Sequence, residues 1–401
     1  MKEAVIVGYL RSPLSRSRPG DPERAERDVF NRLRMDELAA TLVNELFDRT
    51  GIPKDDVDQF ISGCALGVGE NWSWGGRNIP LLAGFPVTLP AKQVDQQCCS
   101  SMASIHIGAM EIMLGYSDIT VSVGIEHMTH IPMANNPMLG FSYKLLVDEQ
   151  YRDRDMMSAV SMGLTAEKLA EKSGISREEM DLWSVRSHER AAKALEEGFF
   201  RDELMPVTVD TAAGEKVIDR DVSIRPGTDM EGLAGLRPAF KVGGIITAGN
   251  SSPLNAGASA MILMSKEGAK KRGMKPLATI RAMASAGVEP SLMGEGPVPS
   301  SKKALDQLKL SVDDIDLWEI NEAFAVVTLN AIKELGIDPE KVNIKGGAIA
   351  LGHPLGVTGT RIVGTLARLL NLEGKRWGLA TACIGGGQGS ATIIEREDYD
   401  G

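Results

Sequence analysis

Two adjacent cysteines, Cys98 and Cys99, stand in the run "VDQQCCSSMAS". The reactive form of cysteine is the thiolate, which a helix N-terminus and a nearby imidazolium both favour. The residues from 98 to 114 read as a helix, so either sulfur has the first feature. His353, in the glycine-rich stretch "GGAIALGHPLGVTGT", is one of only five histidines and could supply the second. A Cys/His nucleophilic pair follows from these residue types. Locally the choice between Cys98 and Cys99 stays open, although helical phase aligns Cys98 with the apolar stripe Met102, Ile105, Ala109 and Ile112. Another thiol, Cys383, opens "CIGGGQG" after the strand-like "RWGLA". Glycine-rich loops after strands turn backbone N–H groups toward anions. This one lacks a Walker lysine and leads into another strand, so an oxyanion site beside a second thiol is the better reading than a phosphate loop.

An internal repeat explains how such distant residues could meet. Residues 55–63, "DDVDQFISG", reappear as "DDIDLWEIN" at 313–321. Cys98 lies 43 residues after Asp55, and His353 lies 40 residues after Asp313. Two copies of one α/β unit would put both residues at equivalent places, each before a helix. Ser101, Ser104, Gly108 and Gly115 give the first helix a face of small residues, and Gly356, Thr360 and Gly364 give the second another. Such faces let helix axes approach closely, so the two helices are expected to pack across a pseudo-twofold axis. Strand-like runs alternating with helical patterns argue for α/β layers. The segment 126–240 differs, with six methionines followed by charged helical patterns such as "SREEMDLWSVRSHERAAKALEEG". It reads as an inserted loop or cap domain whose methionines serve adaptable packing rather than an acyl tunnel. The expected division is 1–125, with a returning strand near 244–265, then 126–240, then 270–401.

Composition narrows the classes. A formal charge of −10, spread along the chain, argues against a nucleic-acid groove or an anionic membrane surface. "MKEAVIVGYL" is too short for a span or a typical signal peptide and reads as a first strand. "EDYDG" at the C-terminus matches no targeting or lipidation signal. The four cysteines have neither metal-site spacing nor the density of a disulfide framework, which points to a reduced, cytoplasmic protein. Cys64 reads as core. His106, His127 and His130 read as structural or surface residues, Glu126 as a structural hydrogen-bonding residue, and Trp72–Trp74 as interface packing rather than pocket lining.

Taken in order and spacing, "QQCCSS", "GNSSPLNAGASA", "NEAFA", "GGAIALGHPLGVTGT" and "CIGGGQG" resemble the thiolase family of acyl-CoA C-acyltransferases. The resemblance covers nearly the whole chain. It implies the thiolase fold: two pseudo-twofold-related mixed α/β halves, layered αβαβα, with an inserted loop domain, assembled as a homodimer or homotetramer. It implies acyl transfer between CoA thioesters through an acyl-cysteine, either thiolysis of a 3-oxoacyl-CoA or the reverse condensation. CoA and acyl-CoA are then substrates, with no metal and no other cofactor. By family register the nucleophile is Cys98, with His353 as its base, Asn321 holding a water, Cys383 as acid/base, and the N–H groups of Cys98 and Gly385 facing the thioester oxygen. Ser252 and Phe240 fall in the pantetheine-side motifs, Arg225 matches an adenine-side contact, and Met162, Met293 and Phe324 match pocket-lining positions. Departures at "VDQQC", Ser101–Met102, Ser161 and Pro253 unsettle the acyl-chain specificity. Two other readings share the fold: a related condensing enzyme, which CO2 release from a malonyl thioester would reveal, and a non-catalytic acyl-CoA-binding or scaffold subunit, which would show no acyl exchange.

Overall fold

The computed structural model describes residues 1–211 and 214–397, so most of the "EDYDG" run lies outside the described residues. Nine strands form one mixed sheet: β1 (Ala4–Arg11), β2 (Gln59–Gly63), β3 (Ala91–Val94), β4 (Ile119–His127), β7 (Ala256–Ser265), β8 (Ala278–Gly287), β9 (Leu317–Ile320), β10 (Trp377–Ile384) and β11 (Gln388–Glu395). Their order is β3-β2-β4-β7-β1-β8-β11-β10-β9. The remaining two, β5 (Val207–Thr211) and β6 (Gly214–Ile218), form a separate hairpin.

The repeat is visible in this order. β2 pairs in parallel with β4, which pairs antiparallel with β7. Likewise β9 pairs in parallel with β10, which pairs antiparallel with β11. β2, the helix Ser100–Leu114 and β4 begin at 59, 100 and 119; β9, the helix Thr358–Leu372 and β10 begin at 317, 358 and 377, a constant offset of 258. The halves join where β1 meets β8 through Val5–Thr279 and Ile6–Ala278. β4 and β7 are buried along their whole lengths, as a strand covered on both faces must be.

The two helices do pack together between the halves, through Ser101 and Thr360 of the expected faces and through Gly359. A side chain on Gly359 would meet the backbone of Met102 at 2.1 Å, and the Thr360 N–H donates to Ser101 Oγ at 2.9 Å. Gly364 instead accommodates the ring of Tyr9, and Gly108 accommodates Thr120 of β4. Helices Met162–Ser173 and Arg177–Glu196, the second opened by a Ser176/Glu179 capping box, form the body of the segment between β4 and β7. Fully buried Arg11 ties that segment to β1, bonding Glu203 at 2.8 Å and Asp221 at 2.7 and 2.9 Å. Residues 244–255 run as a loop, and the returning strand starts at Ala256.

Candidate active site

Cys98 does not belong to the α-helix that follows it. Gln97–Cys99 is a 3-10 turn, and the α-helix starts at Ser100. This turn overturns the phase argument. It is Cys99 that packs with Met102, Ile105, Ala109 and Ile112 in the core, while Cys98 clusters with Ala65, Leu66, Met128, Ile131 and Leu355. Gln97 sits at φ +47, an uncommon conformation for a residue with a side chain. Its N–H donates to Asp95 Oδ1 at 2.7 Å, and its carbonyl accepts from Ser100 Oγ at 2.7 Å. That pinned turn presents Cys98.

The Cys98 sulfur faces its own N–H and that of Gly385, both of which favour a thiolate, yet burial pushes the thiol up to about 11. Gly385 follows Cys383 and Ile384 in the turn between β10 and β11, whose Gly386 and Gly387 take positive φ. The Cys383 sulfur lies close enough to Cys98 for a Cys98 thiolate to oppose its ionisation, and burial, the larger cause, with that repulsion holds Cys383 well above the ordinary thiol range. All four cysteines are free.

His353 arrives on the loop before the second helix. Its N–H donates to Asn255 Oδ1 at 2.8 Å, and Asn255 Nδ2 donates to Ser15 O at 2.6 Å. The Thr358 hydroxyl donates to Pro354 O at 3.0 Å, so at 2.6 Å from His353 Nδ1 it accepts the Nδ1 proton. Nε2 then carries the lone pair and meets Asn321 Nδ2 at 3.3 Å, while buried Asn321 Oδ1 has no partner among the described residues. Burial and the Arg361 guanidinium push His353 down to about 3. The imidazolium expected beside the nucleophile is therefore replaced by a neutral imidazole. No hydrogen bond links Cys98 to His353 among the described residues, and no carboxylate lies against His353 to hold its charge.

Beside Cys98 opens a cavity of about 840 Å³. Leu66, Trp72, Met133, Met138, Met156 and Met162 line it, with Gly385 and Gly386 at one end. Four of the six clustered methionines thus face a cavity rather than only filling gaps, and Trp72 joins them; exposed Trp74 does not line it. On the far side of Met162, Gly163 makes room for the ring of Phe240, which meets Phe324 edge-on with centroids 6.0 Å apart. The Ser252 N–H donates to Ala323 O at 3.0 Å. Met293 is buried in the core with Cys383 and Phe324 and does not line the cavity. Arg225 is exposed, near His188 and Arg16.

Two family models match in tandem: the thiolase N-terminal domain over residues 21–267 and the thiolase C-terminal domain over 274–396. The chain belongs to the thiolase family. It is 43% identical over 407 residues to the 3-ketoacyl-CoA thiolase of Bacillus subtilis, covering 98% of this chain and 100% of the relative. Identity to the 3-ketoacyl-CoA thiolase of Pseudoalteromonas translucida is 44%, over 99% of each chain. Among solved structures, human mitochondrial 3-ketoacyl-CoA thiolase superposes with a TM-score of 0.87 at 34% identity, covering 98% of this chain and 99% of that one. Bacillus anthracis acetyl-CoA acetyltransferase gives 0.86 at 36%, over 99% of each.

Several supporting residues of this thiolase carry no catalytic signature of their own. Asn255 orients the backbone of His353 and is readable only as part of "GNSSPLNAGASA". Glu322, inside "NEAFA", accepts from Trp183 Nε1, Ser187 Oγ, Asn343 Nδ2 and the Ile349 N–H, fixing the turn that leads to His353. Glu126 takes the N–H groups of Ala65, Leu66 and Gly356, so it ties the loop packed on Cys98 to the loop that follows His353. Among the described residues, Glu70, His127 and His130 bring three possible metal-ligand atoms within 4.8 Å of one another. Their hydrogen bonding is already taken up: His130 bonds Glu70 at 2.8 Å and Asn31 O at 2.8 Å, and His127 bonds Phe30 O at 3.1 Å. No helix among the described residues is long and apolar enough to cross a membrane.

Proposed function

We propose that this thiolase transfers an acyl group between CoA thioesters through an acyl-Cys98 intermediate. One observation carries the reading. Two chain segments far apart in sequence bring the Cys98 and Cys383 sulfurs and the Gly385 N–H together at the end of the apolar cavity. In thiolysis, His353 Nε2 takes the Cys98 proton and the sulfur attacks the 3-oxo carbon of a 3-oxoacyl-CoA. The Cα–Cβ bond breaks, Cys383 protonates the acetyl-CoA carbanion, and the acyl group stays on Cys98. His353 passes its proton to the Cys383 thiolate; CoA then gives its thiol proton to the neutral imidazole and attacks the acyl-cysteine, and the leaving Cys98 thiolate takes that proton back from His353 as the shortened acyl-CoA departs. Condensation runs the same steps in reverse.

Charge develops on two oxygens along this path. The N–H groups of Cys98 and Gly385 suit one. His353 Nε2, with a water held by Asn321, suits the other. Each such donor is typically worth roughly 3–4 kcal/mol. No step calls for a metal or redox group. Ser252, Phe240 and Phe324 would follow the pantetheine arm, with Met162 between them and the acyl cavity and Arg225 toward the adenine end; Met293 would support this wall from the core. The free thiols suit a reducing cytoplasm. A homodimer or homotetramer, testable by light scattering, would cover the unpaired edge of β3.

The test is intact-mass analysis after incubation with an acyl-CoA. Wild type and Cys99→Ala gain the acyl mass, and Cys98→Ala does not. Acylation of Cys98→Ala would sink the assignment. Absence of acyl exchange in wild type would favour a non-catalytic acyl-CoA-binding subunit, and CO2 release from a malonyl thioester would favour a condensing enzyme.

A further inference from the structure

The run "VDQQC", which ends at Cys98, carries polar side chains that the catalytic steps do not use. Gln93 of β3, with Asp95 and Gln97 just beyond it, forms a polar wall of the cavity whose other lining is largely methionine, aromatic and aliphatic. Asp95 is the one charged residue of that lining, and no lysine, arginine or histidine joins it among the described residues. Asp95 is exposed, and Gln93 and Gln97 are half-buried.

Hydrogen bonds fix which atoms these side chains leave open. Gln93 Oε1 accepts from the Ser73 N–H at 3.1 Å and from the Ser73 hydroxyl, and Gln93 Nε2 donates to Asn71 O at 3.2 Å. Both ends of that amide are thus engaged. Asp95 Oδ1 accepts from the Gln97 N–H at 2.7 Å and from Gln97 Nε2 at 3.3 Å, while Oδ2 has only a long 3.5 Å contact with the same Nε2. A carboxylate can only accept, so the Gln97 NH2 group must face it and Oε1 must turn away. Gln97 Oε1 takes no hydrogen bond among the described residues and stands 3.7 Å from where a side chain on Gly385 would begin. The side-chain atoms this wall leaves open, Asp95 Oδ2 and Gln97 Oε1, are both acceptors.

An alkyl chain laid against this wall would strip water from a carboxylate and an amide oxygen and return no hydrogen bond. A chain with a donor would pair them, and a hydrogen bond to a carboxylate is stronger than a neutral one. A chain ending in a negative charge would be repelled, with no cation in the lining to offset it. We propose that the acyl chain this thiolase favours carries a hydroxyl group that donates to Asp95, and that chains ending in a carboxylate are turned away. The inference rests on the thiolase reading above and narrows its substrate to a class, the hydroxylated 3-oxoacyl-CoA esters. A site built to hydrogen-bond a substrate hydroxyl discriminates against the analogue that lacks it.

The test compares thiolysis of 3-oxooctanoyl-CoA, its 6-hydroxy, 7-hydroxy and 8-hydroxy derivatives, and 3-oxooctanedioyl-CoA, which ends in a carboxylate. In wild type the best hydroxy ester should exceed the parent about tenfold in kcat/KM, and the dicarboxylic ester should fall about tenfold below it. Asp95 also pins the turn that presents Cys98, so Asp95→Asn is read by ratios between substrates, which cancel any loss common to all of them. In that variant the Gln97 N–H keeps the amide oxygen in place, and the NH2 group takes the position of Oδ2, turning an open acceptor into a donor. The hydroxyl advantage should vanish, and the dicarboxylic ester should gain about tenfold on the parent. A wild type that prefers the parent to every hydroxy ester overturns the proposal, and so do ratios unchanged in Asp95→Asn. If no ester acylates Cys98, the thiolase reading fails instead, and titration calorimetry with the same esters still reads the wall. Binding of a hydroxy ester about tenfold tighter than the parent, lost in Asp95→Asn, then supports the hydroxyl site, and equal binding overturns it.

Discussion

Cys98 and His353 show what burial does to the pair proposed as nucleophile and base. With the thiol pushed up to about 11 and the imidazole down to about 3, both stay neutral across the working pH range. The proton must move when substrate arrives, not before. The consequence is measurable by iodoacetamide labelling of Cys98, read by peptide mass spectrometry. At pH 7 labelling should run roughly a hundredfold slower than for a free thiol and climb about tenfold per pH unit to beyond pH 9. The sign follows from burial, which raises the thiol's pKa and so reduces its thiolate fraction at neutral pH. A plateau between pH 5 and 8 would mean a thiolate–imidazolium pair and would sink this account. Thr358 supplies a second test, because its hydroxyl accepts the Nδ1 proton and leaves Nε2 bare. Thr358→Val leaves a buried donor unpaired, at a cost of about 1–3 kcal/mol, and should lower kcat about tenfold or more. Thr358→Ser should restore it; a valine variant as fast as wild type would remove Thr358 from the mechanism.

Strands and helices decide which residues meet, and here the sequence was legible in part. The 55–63 and 313–321 repeat announces two α/β units, because burial of equivalent strands repeats the same apolar and acidic spacing. The 3-10 turn at Gln97–Cys99 was not legible, since one residue of over-winding shifts helical phase and no residue type marks it. Hence the apolar stripe pointed to Cys98 where Cys99 belongs. Asn255 and Glu322 were hidden for another reason: their partners lie up to 240 residues away in sequence. Glu126 was legible as structural, and the fold shows its load. Its Oε1 meets Cys64, Leu66 and Asn71, and its Oε2 meets Ala65 and Gly356, all donors. Burial pushes it up to about 7 even so. Glu126→Gln would turn an NH2 group toward donors. At about 1–3 kcal/mol per unmet group, Tm should fall roughly 5–10 °C, with kcat falling too as the turn after His353 loosens. Unchanged melting in calorimetry would show that this tie contributes little.

At the scale of the whole molecule, the cavity beside Cys98 exists only because three parts of the chain close around it. The β2 and β3 loops supply Leu66, Trp72 and Gln97, the inserted segment supplies Met133 to Met162, and the β10–β11 turn supplies Gly385 and Gly386. The segment from 132 to 160 has neither helical nor strand periodicity, so its methionines gave no directional signal until the fold placed them. An acetyl group would leave most of 840 Å³ unused. Methionine walls adapt to chains of varied shape, and each buried methylene is worth about 0.8 kcal/mol. Four further methylenes should therefore raise kcat/KM for 3-oxooctanoyl-CoA roughly a hundredfold over acetoacetyl-CoA, provided the cavity holds the acyl chain. Val160 lines this cavity and is 47% exposed, so a larger side chain there can narrow the space without opening the core. Val160→Trp should cut kcat/KM for the octanoyl substrate about tenfold or more and leave acetoacetyl-CoA within about twofold, because only the longer chain reaches that wall. Thiolysis measured over a graded series of 3-oxoacyl-CoA esters decides the matter. Equal kcat/KM for short and long esters in wild type, or equal losses for both in Val160→Trp, would assign the cavity to something other than the acyl chain.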